Sequence, residues 1–485
     1  MDSSATPPAA AARGATARAA RAAALRVAEG PAQLYRPPAP WPVGPQRALL
    51  RALLSGERDL ITLLPGAAYR SLTAPLGVSR RGIFLVSDPA DIRDVLVGRS
   101  ALFPKNDLMV GALEPLVGHG VFVADGADWE RQRRMIDPAF GHMHIHRAFG
   151  KMAEAVSGGE AMLDAASAAG HPVPLEQTMS RITADIVFRT IFSQDLAGET
   201  AHRVFDAFAR FQKTVANVEL RRLLWSRPFA RIPQPRPALA AAGEIRALLA
   251  DMIATHRAAG RSGDIAADLI AARDPETGTG FTDTELVDQI GVFFLAGHET
   301  TASVLTWCFF ILGEQPEAVA RMRAEIEAVT YGGPVEFAHV KRLGFVRSVF
   351  REALRLYPPI TFYARVAREA SRIGPCAVPR GAMILVSPWV IHRHERLWRD
   401  ADRFDPDRFS AEREGEIPAG AYLPFGMGPR ICSGAAFATV ESILILARLT
   451  RRYDIRALEP GTVRPVARLT TRPACEIACR VARLA

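Results

Sequence analysis

FGMGPRICSG, residues 425 to 434, holds one cysteine, Cys432, in a loop that carries three glycines ahead of a helical pattern. Gly426 and Gly428 have no Cβ, so the backbone turns tightly there and lets a flat object come close. From Ser433 onward a helix is predicted, because Ala435, Ala436, Phe437, Val440, Ile443, Leu444 and Ala447 recur at helical spacing. Cys432 therefore precedes a helix whose free N–H groups and positive dipole end favour a thiolate.

A thiolate on a rigid loop against a flat ligand is what axial cysteine ligation of haem iron requires. Arg430 is placed to meet an anionic propionate with a charge-assisted bond. Taken alone, a cysteine before a helix is as readily an inert structural residue. The full spacing Phe-Gly-x-Gly-x-Arg-x-Cys-x-Gly is far more specific. It resembles, position for position, the haem-binding signature of the cytochrome P-450 family. The resemblance implies that Phe425, Arg430, Cys432 and Gly434 hold haem b, with Cys432 as the axial ligand of its iron.

A long helix is expected from Asp283 to Leu312, opened by a capping-box pattern at Thr282 and Glu285. At about 1.5 Å per residue it would cross the molecule, and its apolar later turns predict burial. AGHETT, residues 296 to 301, stands in its middle. Gly297 weakens the helix, and the Thr300 hydroxyl can turn to the carbonyl of Ala296 four residues back. Glu299 is costly to bury without a task or a partner. This stretch resembles the family's oxygen-activation motif. The resemblance gives Glu299 and Thr300 catalytic roles in proton delivery and places Ala296 and Phe293 against cofactor and substrate.

Trp129 and Arg133 lie four apart on one predicted helix face. They resemble the family's Trp-x-x-x-Arg, which addresses a propionate, and Arg365 matches its second propionate arginine. Glu352 and Arg355 share a face at i and i+3. With Arg408 from PDRF they resemble a buried family network that braces the haem loop. Pro358 and Pro359 end a helix. By the same resemblance Ile360, Thr361 and Phe362, which follow, line the substrate pocket.

The remaining chain sets bounds. With 485 residues, nearly half of them apolar, a large core is assured, and length alone suggests two or three domains. The net charge of +9 suits an acidic partner, yet there is no zinc-finger spacing or basic–aromatic repeat, so no nucleic-acid role is expected. Five cysteines, odd in number, fit a reducing compartment. Cys475 and Cys479 fall in a strand-like alternation, and His142, His144 and His146 in a solvated loop or helix start, so neither set is read as a metal site. The longest apolar tract, Ile290 to Leu312, carries His298 and Glu299 at its centre and reads as a buried helix, with no membrane span. Residues 103 to 120, punctuated by glycine and proline, read as a loop, and by the same resemblance such a loop roofs the substrate pocket.

The motifs keep the family's order from Trp129 to Gly434. The resemblance implies one mainly α domain with a small β region over residues 36–485, and the low complexity and positive charge of the Ala/Arg-rich residues 1–35 read as a mobile arm ahead of it. It further implies a soluble, cytoplasmic bacterial monooxygenase that uses O2 on a lipophilic small molecule. Only 53 residues follow Cys432, so no fused reductase is expected. Electrons would come from NAD(P)H indirectly, through a ferredoxin or flavodoxin with its reductase. The rival readings are a haem-thiolate peroxygenase or isomerase, and a non-enzymatic haem sensor or carrier. Arg131, Arg134, Arg448, Arg451 and Arg452 are candidates for a basic docking face.

Overall fold

The computed structural model describes residues 34–40, 43–44, 46–47, 50, 59–76, 81–215 and 234–484. Nearly all of the expected arm and most of the break from Trp225 to Pro237 lie outside them. The helices that build the site are α1 (Asp107–Val117), α2 (Gly126–Ile136), α3 (His142–Ala169), α4 (Leu175–Phe192), α5 (Glu199–Val215), α6 (Arg236–Ala258), α7 (Asp283–Gly313), α8 (Pro316–Thr330), α9 (Gly344–Leu356) and α10 (Ala435–Arg452).

Helix α7 is the predicted central helix, and the Thr282–Glu285 capping box closes its first turn. Such a box satisfies N–H groups that a helix start otherwise leaves unpaired. Its first half, Leu286 to Leu295, packs with α4, α5 and α6 in one apolar cluster. Its second half, Ala302 to Leu312, packs with α3, α9 and α10 in another. The helix thus joins two cores, and every residue from Thr301 to Leu312 is buried.

The β region is small. Strands β1 (Thr73–Pro75), β2 (Ile83–Val86), β7 (Met383–Val386) and β4 (Tyr363–Val366) form a sheet in that order, with β2 and β7 parallel. A hairpin joins β5 (Ser371–Ile373) to β6 (Cys376–Val378), and another joins β9 (Pro465–Ala467) to β10 (Thr471–Pro473). Strands β3 (Val173–Pro174), β11 (Ala478–Arg483) and β8 (Tyr453–Ala457) make a three-stranded sheet. Sheet β1-β2-β7-β4 fixes Arg365, whose partner across the ladder is Ile384.

One expectation is corrected. Residues 103 to 120 are not all loop, because α1 occupies Asp107–Val117. Asn106 caps it by accepting the Leu108 N–H, and Leu113, Leu116 and Val117 face the core. That cap and apolar face outweigh Gly111 and Pro115 within the helix. The three histidines open α3, the helix start foreseen for them.

Candidate active site: a cavity shared by Cys432 and the central helix

A cavity of about 1020 Å³ lies beside α7. Its wall takes Phe425, Arg430, Cys432 and Gly434 from the glycine loop, Trp129 and Arg133 from α2, Ala296, Glu299 and Thr300 from α7, and Arg365 from β4. Phe293, Ile360, Thr361 and Phe362 line it too. Phe293 meets Phe140 edge-on at 5.1 Å. The Thr361 hydroxyl is taken by Thr471 at 3.1 Å, which leaves that residue's methyl as its apolar contribution. Residues spread over more than 300 positions of sequence therefore meet at one space.

The glycine loop is held by its own backbone. Gly426 and Gly428 sit at φ +80° and +75°, and a Cβ on Gly428 would overlap the Leu96 carbonyl. The Cys432 N–H donates to the Phe425 carbonyl at 3.0 Å and closes the turn. The helix begins at Ala435, two residues later than predicted, with Gly434 as its N-cap. Cys432 is exposed toward the cavity it lines, while the surrounding protein desolvates its thiol. That burial pushes the thiol up, against the downward pull of the Gly434 N–H and Arg133. The Gly434 N–H favours the thiolate, as the sequence suggested, but burial opposes it. A coordinated metal cation would make the thiolate, because it deprotonates a ligating thiol.

The opposite charge gathers at the cavity's edge. Lys105, Arg133, Arg365 and Arg430 crowd together, and burial and the three arginines hold the Lys105 amine well below its usual range. Arg365 is drawn down to about 10 by burial and by Arg430. Arg430 stacks on Trp129 at 4.5 Å and bonds Asp125 at 2.8 Å, but its Nη1 is buried without a partner. Such a cluster calls for added anions. Two propionates of a flat macrocycle, with Cys432 reaching its metal, are what this donor set fits. Lys105 has no motif around it, and only the fold brings it here.

On α7 the Thr300 hydroxyl donates to the Ala296 carbonyl at 2.6 Å, as its spacing foretold. Glu299 is buried and fully engaged. Gln212 of α5 donates to its Oε2, Thr470 donates to Oε1 at 2.8 Å, and Arg472 stands 3.8 Å from Oε1. Burial raises its carboxyl, while Arg472 and Thr470 pull it back. Arg472 in turn pairs with the partly exposed Glu176 at 2.7 Å, so the path from Glu299 leads outward. A second acid, Glu441 on α10, also lines the cavity and was not foreseen. Burial holds it well above the usual carboxylate range against a hydrogen bond to Thr301.

Glu352, Arg355 and Arg408 stand apart from the cavity and form one network. Arg355 grips Glu352 through two bonds of 2.7 Å with both side chains fully buried. Arg408 approaches Glu352 only to 3.4 Å and spends its donors on the carbonyls of Arg399 and Asp400. His392 and Tyr363, neither of them singled out in sequence, carry this bracing to the loop before Phe425.

The five arginines proposed as a docking face are not free. Arg131 pairs with Glu285, Arg134 with Asp274 at 2.7 Å, Arg448 with Glu160 and Arg452 with Asp164. Arg451 donates to the Gly333 carbonyl at 2.7 Å. Each charge is spent on tying its helix to a neighbour.

Comparison with known proteins agrees with this geometry. The sequence model of the cytochrome P450 family matches residues 75–473. Cyclooctatin synthase of Streptomyces melanosporofaciens is 34% identical over 85% of this chain and 89% of its own. Cyclooctat-9-en-7-ol 5-monooxygenase of the same organism is 32% identical over 89% of this chain and 94% of its own. The crystal structure of the cytochrome P450DA haem domain superposes with a TM-score of 0.80 at 25% identity, covering 93% of this chain and 98% of that one. The chain belongs to the cytochrome P450 family, with a mostly helical haem-domain fold, and is a cytochrome P450 monooxygenase.

Proposed function

We propose that the cavity holds haem b, with Cys432 as axial ligand and its propionates among Lys105, Trp129, Arg133, Arg365 and Arg430. The observation that carries this reading is the sharing of one cavity by the Cys432 thiol and the Thr300 hydroxyl. Haem ligated by thiolate supplies dioxygen binding and reductive O–O cleavage. In balance, one C–H bond becomes C–OH while O2, two electrons and two protons are consumed and one water leaves.

The chain's own part is to exclude water, hold the substrate and meter protons. Thr300 holds a hydroxyl at the cavity wall, one residue from Glu299. Arg472 pairs with both Glu176 and Glu299 and so ties the buried acid to a partly exposed one, while Glu299, whose raised affinity for a proton suits it to take one up and give it away, is the group that carries the proton. The walls contributed by Phe293, Ile360, Phe362 and the roof are apolar, which suits a lipophilic substrate. The relative that acts on cyclooctat-9-en-7-ol supports a terpenoid alkene or alkenol. Residues 36–485 act as one catalytic domain of the bacterial, cytoplasmic type, served by a separate ferredoxin or flavodoxin with its NAD(P)H-dependent reductase. Among the described residues no helix is long and apolar enough to cross a membrane.

The test has two arms. Purified protein should give the red-shifted Soret band of a thiolate-ligated, reduced carbonyl complex, and a band of the imidazole-ligated kind refutes the assignment. Turnover of cyclooctat-9-en-7-ol or a related terpenoid should require an electron donor. Full rates with peroxide alone would favour a peroxygenase.

A further inference from the structure

The segment from Val117 to Phe122, between α1 and α2, roofs the cavity with Val121 and Phe122. Beyond Val117, the last residue of α1, it has no regular structure of its own, yet polar side chains from outside the cavity grip it. The His119 N–H donates to Asp288 Oδ2 at 3.0 Å, and the Val121 N–H donates to Gln289 Oε1 at 2.9 Å. Gln132 of α2 donates to the His119 carbonyl at 2.9 Å. Arg246 of α6 donates to the Leu116 carbonyl at 3.0 Å and lies 2.6 Å from Asp288 Oδ1. That close approach is poorly directed for a hydrogen bond, so charge attraction holds it.

Asp288 is therefore a buried carboxylate where three elements meet: α7, which bears it, α6 through Arg246, and the roof through His119. Gly118 makes this possible. It sits at φ +49° and ψ −129°, and a Cβ there would run into the Asp288 carboxylate. A buried carboxylate left with one N–H and no cation is poorly solvated. Removing Arg246 would thus loosen the grip on the roof even though Arg246 touches no part of the cavity wall.

We propose that the Asp288–Arg246 pair determines substrate size selectivity by clamping the Val117–Phe122 roof over the cavity from outside it. The inference rests on the haem-thiolate reading only for its optical readout. Both residues are positioning residues and act through Val121 and Phe122.

The experiment compares haem-loaded wild type with Arg246→Met, Asp288→Ala and the conservative Arg246→Lys. Amide hydrogen exchange is followed at residues 116–122. Dissociation constants of imidazole and of bulky N-trityl imidazole are read from the Soret shift. In Arg246→Met and Asp288→Ala, exchange at His119 and Val121 should quicken by about tenfold. The trityl compound should gain about tenfold in affinity relative to imidazole, whose own binding stays unchanged. Arg246→Lys, which keeps the charge, should recover at least half of both effects on a logarithmic scale. Should Asp288→Ala fail to fold, the partly exposed Arg246 still carries the comparison. Wild-type exchange and a wild-type affinity ratio in Arg246→Met overturn the clamp, as does an equal loss of both azoles. A wild type without the red-shifted carbonyl band would instead defeat the haem-thiolate reading, while the exchange rates would still decide the clamp.

Discussion

His392 Nε2 accepts the backbone N–H of Leu423 at 2.8 Å, while its Nδ1 faces the Arg355 carbonyl at 3.2 Å. The acceptor role of Nε2 puts the proton on Nδ1, which donates to Arg355. One neutral imidazole thus links the Glu352–Arg355 pair to the residues that lead into Phe425. Tyr363 grips the same spot from the sheet by donating to the Leu423 carbonyl at 2.8 Å.

His392→Leu keeps the volume and strands the Leu423 N–H. It should cost about 1–3 kcal/mol of stability and weaken haem retention, which a denaturant midpoint and the rate of haem transfer to apomyoglobin would record. A midpoint and a transfer rate equal to wild type would show that Tyr363 holds the loop alone.

Acid should destabilise the fold through its buried imidazoles. Burial draws His298 from 6.5 to about 4 and His392 well below its usual value. The unfolded chain takes up these protons from about pH 6.5 downward and the folded chain does not, so unfolding binds protons. The contribution is complete above about pH 6.5 and is lost as pH falls toward about 4, roughly 3 kcal/mol for His298 alone. His298→Phe should flatten that slope in urea midpoints taken between about pH 7 and pH 4.5.

Cys432→His should abolish the red-shifted carbonyl band, and Cys308→Ser should leave it in place. Cys308 is buried on α7, away from the cavity wall, where desolvation keeps its thiol protonated. Carbonyl difference spectra of the two variants decide the ligand.

Thr300→Ala should leave the carbonyl spectrum and substrate binding near wild type while reduced nicotinamide is consumed to yield hydrogen peroxide in place of product. Glu299→Gln should slow turnover more than it uncouples it, because the proposed proton carrier is lost while the hydroxyl remains. Thr300→Val tests the rival view that this residue only packs. The ratio of product to nicotinamide consumed is the measurement, and a wild-type ratio in both Thr300 variants removes the hydroxyl from proton delivery.

Arg448 bonds Glu160 and the Ala153 carbonyl, joining α10 to α3. Arg448→Met should therefore lower stability by about 1–3 kcal/mol and leave the salt dependence of electron transfer from a ferredoxin unchanged. A flattened salt dependence at unchanged stability would restore the docking role first suggested by its charge.

Legibility in the sequence followed the range of the interaction. The capping box is local, so spacing exposed it, and the glycine loop and the acid–threonine pair are short enough to be met as family motifs. Helix α1 was hidden because Gly111 and Pro115 mimic a loop, whereas its apolar face packs against α6 and α7, distant in sequence. Lys105, Gln212, His392 and Glu441 belong to no short pattern, because the contacts that matter lie 30 to more than 200 residues away. The partners of Arg131, Arg134, Arg448, Arg451 and Arg452 were illegible for the same reason: a sequence displays a charge and conceals what it pairs with.

The crowding of Lys105, Arg133, Arg365 and Arg430 also bears on how the enzyme is made. These basic groups repel one another, and the carboxylates bonded to them are Asp125, on Arg430, and Asp137, on Arg133. A dianionic guest would relieve that repulsion, so haem supply in the producing cell should set how much finished enzyme accumulates. Expression hosts starved of iron or of porphyrin precursor should yield chains that are cleared by proteolysis before they are ever assayed.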